Sequence, residues 1–196
     1  MGVQVVRWDK GGTVSAGVIL FSMEKKKKII ILEQDFFVHH GTVSAVTRIE
    51  FVSDRVSYIV LRGCWYNTVL NVHAPSEEKS DYSKDCFYEQ VFDHFPKYHM
   101  KILVGDFNAK VRRGNIVKLT IRNESLHQDC NDNGVRIVDF TTSKNLVVKS
   151  TMFLHRNIHK YTWTSPDGMT HKQTDHILRD METAFKFTRC TKFKGS

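Results

Sequence analysis

The sharpest chemical signal is the run KILVGDFNAKV. An apolar strand, Ile102–Val104, closes on Gly105 and at once presents Asp106 and Asn108. Residues two apart at a strand end project to one side, so a carboxylate and an amide share a sheet edge. Such a carboxylate can hold a hard cation or activate a water, and the amide can orient a phosphate oxygen. The same spacing also makes an Asx turn that merely closes a strand, and an isolated G-D-x-N supports both readings. TVLNVHAP repeats the arrangement, with Asn71 and His73 at the end of a β run and Pro75 as the stop. His73 can donate to a phosphate, although a lone His at a strand end is more often structural. In YTWTSPDGMTHKQTDHIL the turn Pro166-Asp167-Gly168 separates two strand-like runs. That pattern is a hairpin, and it brings Thr162 and Trp163 near Asp175 and His176. Adjacent Asp175 and His176 face opposite sides of a strand, so only one can serve the site; Asp175 is the candidate.

These groups need a sheet to position them. Val43–Phe51, Val56–Leu61 and Thr68–Ala74 read as consecutive strands of one sheet. Ser15–Phe21 and Ile29–Leu32 read as a hairpin around the lysine run Lys25–Lys28. From Ser80 to Phe95, Tyr82, Cys86, Phe87, Val91 and Phe95 recur at helical spacing before Pro96. A second helix is expected over Gly134–Ser143, with Val135, Val138 and Phe140 on its apolar face. Leu146–Val148, Tyr161–Thr164 and Ile177–Leu178 read as further strands. Helices packed on sheet faces give an α/β or α+β class.

Composition narrows the function classes. The chain has 196 residues, 29 Lys+Arg against 21 Asp+Glu, and a formal net charge of +8. With 41% hydrophobic and 26% charged residues it is globular in composition, which excludes a disordered or collagen-like chain. No apolar run approaches the ~20 residues of a membrane helix, and MGVQVVRWDK lacks the pattern of a secretory signal. The expectation is an intracellular, non-secreted, monomeric domain with no membrane partner, and Lys25–Lys28 is a candidate nuclear-import patch. Cys64, Cys86, Cys130 and Cys190 form no CxxC pair and read as reduced thiols. His155 and His159 have i, i+4 spacing but sit in a loop-like stretch, a poor metal pair. The basic excess favours a polyanion, DNA above all, with Lys110, Arg112, Arg113, Lys118 and Arg122 following the GDFN strand.

NVHAP, GDFNA, NDNGVRIVDF and YTWTSPDG with Q-x-D-H-I stand here in that order. The set closely resembles the endonuclease/exonuclease/phosphatase superfamily, whose fold is the DNase I-like four-layer α/β sandwich. Between Phe36 and Leu178 the chain looks most like RTE-type retrotransposon endonucleases and craniofacial development protein 2-like chains. The resemblance implies a phosphodiesterase acting on DNA with Mg²⁺ or Mn²⁺. Asp106 matches the water-activating aspartate and a metal ligand, and Asn108 matches its phosphate-holding partner. His73 stands where much of the superfamily has a phosphate-contacting Tyr, next to Asn71 as a further substrate contact. Thr162 matches a hairpin Thr that lies beside DNA, and Asp175 an aspartate that orients a catalytic histidine. Trp163 can stack on a base or pack in the core, and Arg112 and Arg113 can contact phosphate.

The departures shape the expected function. The family's metal-binding Glu has no match, since Glu24 and Glu33 are not at the expected strand end. No S-D-H occurs, and Thr174 replaces the usual Ile before Asp175. Each positioned acid or base contributes about 10²–10⁴-fold. The expectation is thus a single partial domain over 1–196, incomplete at its N- and C-terminal ends, with little or no activity of its own. The alternatives are a domesticated DNA-binding or interaction module, an unstable pseudogene fragment, or an inositol or lipid phosphoesterase of the same fold.

Overall fold

The computed structural model describes residues 2–4, 18–21, 34–63, 67–94, 100–113, 120–121, 124–152 and 156–181. Trp8, Glu24, Lys25–Lys28, Ile29–Leu32, Glu33, Cys64, Trp65, Phe95, Lys118, Arg122, His155 and Cys190 lie outside the described residues. In chain order the elements are β1 (Gly2–Gln4), β2 (Val18–Phe21), β3 (Gln34–His39), α1 (His40–Val43), β4 (Val46–Phe51), β5 (Val56–Leu61) and β6 (Asn67–His73). They continue with α2 (Asp81–Asp93), β7 (Met100–Asp106), α3 (Asp132–Ser143), β8 (Leu146–Val148), β9 (Trp163–Thr164), β10 (His171–Lys172) and β11 (Asp175–Asp180).

The central sheet has six strands in the order β4-β5-β6-β7-β11-β8. Only β6 and β7 are parallel, and the connection between them contains α2. Parallel neighbours need such a crossover, whereas antiparallel ones can be joined by a turn. Strands β1, β3 and β2 form a separate antiparallel sheet and β9–β10 a hairpin. Val18–Phe21 pairs with Gln34–His39, a strand that the sequence pattern did not suggest.

One face of the central sheet is covered by both long helices. Val56, Leu70, Val72, Leu103, Leu146, Val148 and Leu178 are fully buried there, with Phe87 and Val91 of α2 and Ile137 and Phe140 of α3 in the same core. The opposite face at the β4–β6 end packs Ile59, Leu61 and Val69 against Phe36 and Val38 of β3. Ser80 caps α2 by accepting from the Ser83 N–H, and Asn131 caps α3 by accepting from Gly134, the usual remedy for unpaired amides in a first turn. Between the helices, Arg136 reaches Asp81, Asp85 and Asp132, and buried Lys84 meets Asp132 at 2.7 Å.

Several expected elements shift. Val43 ends a short helix, and the strand begins at Val46 with an irregularity between Val46 and Arg48. Tyr82 is exposed and Cys86 only half-buried, while Lys84 takes the buried position on α2. On α3, Val135 is exposed and Ile137 holds the core. The strand expected over Tyr161–Thr164 is confined to Trp163–Thr164. No helix among the described residues is long and apolar enough to cross a membrane.

Candidate active site

Register places three candidate side chains in one row. His73 of β6 is the Cα partner of Asp106 of β7, and Asp175 of β11 is the partner of Asp106 on its other side. Partners across a ladder share a sheet face, so Asp106 stands between an imidazole and a carboxylate. One residue along, His176 pairs with Gly105 on the helix-covered face. There it is 1% exposed, donates Nε2–H to the Ala109 carbonyl at 2.9 Å and accepts from the Ser150 hydroxyl at Nδ1. Burial pushes its pKa down to about 4, so it is a neutral core residue near pH 7.

The Asp106 loop is held from three directions. The Asn108 N–H donates to Asp106 Oδ1 at 2.7 Å, so the Asx turn is present and it is the device that presents the carboxylate. Asn108 adopts φ 47°, in the left-handed region that Asn tolerates better than most residues. Its Nδ2 donates to Ala74 O at 2.8 Å, tying the loop to the end of β6. Phe107, Ala109 and Val111 point into the core and are at most 1% exposed. From 23 residues downstream, Asn131 accepts from the Lys110 and Gly134 amides and donates to the Asn108 carbonyl. Asn133 donates to the carbonyls of Pro75 and Asn108. Gly134 closes the arrangement, because a Cβ there would sit 2.0 Å from the Lys110 carbonyl oxygen. Asn131 and Asn133 went unassigned in the sequence; the available signal was N-D-N-G at a helix start, a strong capping pattern.

Asp106, the middle of the row, opens onto a cleft of about 490 Å³, whose lining includes neither His73 nor Asp175. Asp106 and Asn108 line it with Lys110, Glu77, Glu78 and Asn131, and the hairpin contributes Trp163 and Lys172. Trp163 is 44% exposed with the Lys172 ammonium 4.8 Å from its ring centroid, so of its two expected placements the structure shows the open one at the cleft and not core packing. Neither Arg112 nor Arg113 lines the cleft. Arg113 donates its Nε–H to the Ser125 carbonyl and its backbone N–H to His127, which commits that side chain to a neighbouring loop. Asn71 is buried one row behind His73. Thr162 lies on the hairpin, its hydroxyl turned to the entry of β11.

Electrostatics single out the acidic pair. Partial desolvation and the neighbouring Asp106 carboxylate push Asp175 up to about 6, although the residue keeps an exposed edge. Burial and the nearby Lys110 and Lys172 hold His127 below the ordinary imidazole range, although its contact with Gln173 opposes them. Among the described residues no three His, Cys, Asp or Glu side chains gather into a metal-holding group. The oxygens around Asp106 still suit a hard cation, since like carboxylates side by side favour any charge that neutralises them.

No family model matches the chain. It is 32% identical to craniofacial development protein 2 of Tragulus javanicus over 145 residues, which is 72% of this chain and 25% of that protein. The Bos taurus protein of that name is 32% identical over 139 residues, 69% of this chain and 23% of its own length. The chain thus spans about a quarter of the curated relatives it matches. Its fold is similar to the endonuclease domain of TRAS1, a telomere-specific non-LTR retrotransposon, with TM-score 0.56 and 14% identity over 86% of this chain and 69% of the other. It is also similar to the 3′ phosphatase NExo from Neisseria bound to a product DNA hairpin, with TM-score 0.54 and 17% identity over the same shares. By sequence the chain is a homologue of craniofacial development protein 2, and by fold it belongs with the DNase I-like endonuclease/exonuclease/phosphatase proteins.

Proposed function

We propose that this chain is the phosphodiester-binding core of a retrotransposon-type DNA endonuclease domain, and that by itself it binds DNA but cleaves it little or not at all. The observation that carries the reading is Asp106 and Asn108 in a cleft lined by Lys110 and Lys172, with His73 and Asp175 paired on either side of Asp106. Two lysines beside a carboxylate suit a substrate whose negative charge must be held while a water is steered. The DNA named with the Neisseria phosphatase and the retrotransposon origin of the TRAS1 domain support DNA as the polyanion.

In this reading each group has a task. Asp106 orients the attacking water and accepts its proton, and it is the residue that would hold Mg²⁺ or Mn²⁺. Such an ion supplies charge neutralisation at the phosphoryl oxygens. Asn108 spends one Nδ2–H on Ala74, which leaves the second for a phosphate oxygen. His73 contacts the phosphate from the β6 side, and Trp163 offers an open aromatic face to a base. Low activity is expected because, among the described residues, no three His, Cys, Asp or Glu side chains gather to hold an ion, which leaves Asp106 as its charged ligand. A missing positioned acid or base is expected to cost about 10²–10⁴-fold.

The test is plasmid nicking in Mg²⁺ alongside duplex binding at several salt concentrations, for wild type and Asp106→Ala. Salt-dependent binding with at most trace nicking is expected. Robust nicking that Asp106→Ala abolishes would overturn the low-activity reading, and no salt-dependent binding would overturn the DNA reading.

A further inference from the structure

We infer that Thr162 is a positioning residue whose hydroxyl fixes the entry of β11 beside Asp106, and that it does not contact DNA. The inference deepens the reading of the Asp106 row given above, because it names what holds Asp175 in that row. The argument is a count of bonding capacity. A threonine hydroxyl has one donor hydrogen and two acceptor lone pairs. Thr162 Oγ1 accepts from the Thr174 backbone N–H at 2.9 Å and from the Asp175 N–H at 3.3 Å. Its hydrogen is directed to the Lys172 carbonyl or the Thr174 hydroxyl, each 3.4 Å away. Both acceptor sites are therefore engaged within the protein, and the donor already faces two internal acceptors, so the hydroxyl is turned to the strand entry and not to the open cleft.

The place of those two amides explains why the hydroxyl matters. Thr174 and Asp175 are where the chain leaves the hairpin and enters β11. On the other side of Thr174 its carbonyl accepts from the Phe107 N–H at 3.1 Å, inside the Asp106 loop. The strand entry is thus fixed at one end by the GDFN loop and at the other by one side-chain oxygen. The hairpin backbone adds a further tie, the Thr162 N–H donating to Lys172 O at 2.9 Å. A side chain accepting two successive amides sets both the height and the rotation of the first β11 residue. Asp175 is that residue, and its alignment with Asp106 depends on both.

Thr162→Val removes the acceptor and keeps the shape, and Thr162→Ser keeps the oxygen. Hydrogen exchange of the Thr174 and Asp175 amides is expected to be about fivefold to tenfold faster in the valine variant and near wild type in the serine variant, as loss of one or two hydrogen bonds implies. Unchanged exchange in Thr162→Val would overturn the inference. If the valine variant does not fold, the serine variant carries the test, and fast exchange of these amides there overturns it. Duplex affinity at fixed salt separates positioning from contact. It is expected to be within about twofold of wild type in Thr162→Val, and a loss of about tenfold or more, the size of a hydrogen bond to a charged group, would mark a lost phosphate contact and contradict the inference. Exchange needs no DNA, so failure of the DNA reading is seen separately, as absent salt-dependent binding by the wild type.

Discussion

The loop after β7 and the β9–β10 hairpin line the same cleft, yet they are built on opposite principles. Around Asp106, three side chains point into the core and two asparagines from the start of α3 close on the loop carbonyls and amides. The hairpin has two-residue strands, an exposed Trp163, an exposed Met169 at its tip and a Gly168 with no atom near enough to crowd a side chain. It is tied down at its base by Thr162, by the Gln173 N–H donating to His127 Nε2 at 3.1 Å, and by Gln173 Oε1 accepting from Leu126. The candidate reacting groups thus sit on a loop anchored into the core and to α3, and the groups suited to a ligand of variable shape sit on a surface hairpin held mainly by its own turn and ladder bonds. Positioned chemistry needs sub-ångström support, whereas stacking and charge contacts tolerate adjustment.

Substitutions should expose that contrast as a graded series. The largest effect is expected from Phe107→Ala, which empties a fully buried site next to the catalytic candidate and should cost about 4 kcal/mol in urea unfolding. Gly134→Ala should cost about 3 kcal/mol, because the new Cβ must push back a carbonyl fixed by the Asn131 bracket. A cost below about 1 kcal/mol for either would mean that the Asp106 loop is no more rigid than the hairpin.

The acid limb of stability sharpens the comparison by sign. His176 is buried neutral with its pKa at about 4, below an unfolded value near 6.5. Its contribution is complete above about pH 6.5 and is lost as pH falls towards 4. Asp175 acts in the opposite sense. With a folded value of about 6 above an unfolded value near 3.9, its ionised form costs stability above pH 6, and this cost disappears below pH 4. Asp175→Asn should therefore stabilise the fold by about 1 kcal/mol at pH 7, a figure reduced for solvent screening. The gain should vanish at pH 4, so the variant loses stability more steeply on acidification. Chemical unfolding in chelator across pH 4–7 measures this, and destabilisation at pH 7 would contradict it. The smallest effect is expected from Trp163→Ala, within about 0.5 kcal/mol of wild type, since the ring packs mostly at the surface.

The sequence showed the local devices of the site and missed those acting over distance. GDFNA and NVHAP were readable because a strand, its end and its polar residues are contiguous. The alignment of Asp106 with His73 and Asp175 depends on two different pairings, one parallel and one antiparallel, which no local pattern specifies. Asn131 was readable as a helix cap, but its second duty at Lys110 lies 21 residues away. Gly134 resembled any early-helix glycine until the Lys110 carbonyl stood against it. The α2 face was misjudged because Lys84 is buried through an ion pair with Asp132, 48 residues on. Trp163 stayed open between base stacking and core packing on residue type, because only the two-residue strand at the cleft shows that the ring is not buried.

The central claim is that the cleft beside Asp106 holds the phosphates of DNA through Lys110 and Lys172. Its most direct test is duplex affinity over a range of salt for wild type and the Lys110→Gln/Lys172→Gln double variant. The account predicts that log K falls linearly with log salt and that the slope of the double variant is shallower by about 2. A double variant with the wild-type slope would contradict it.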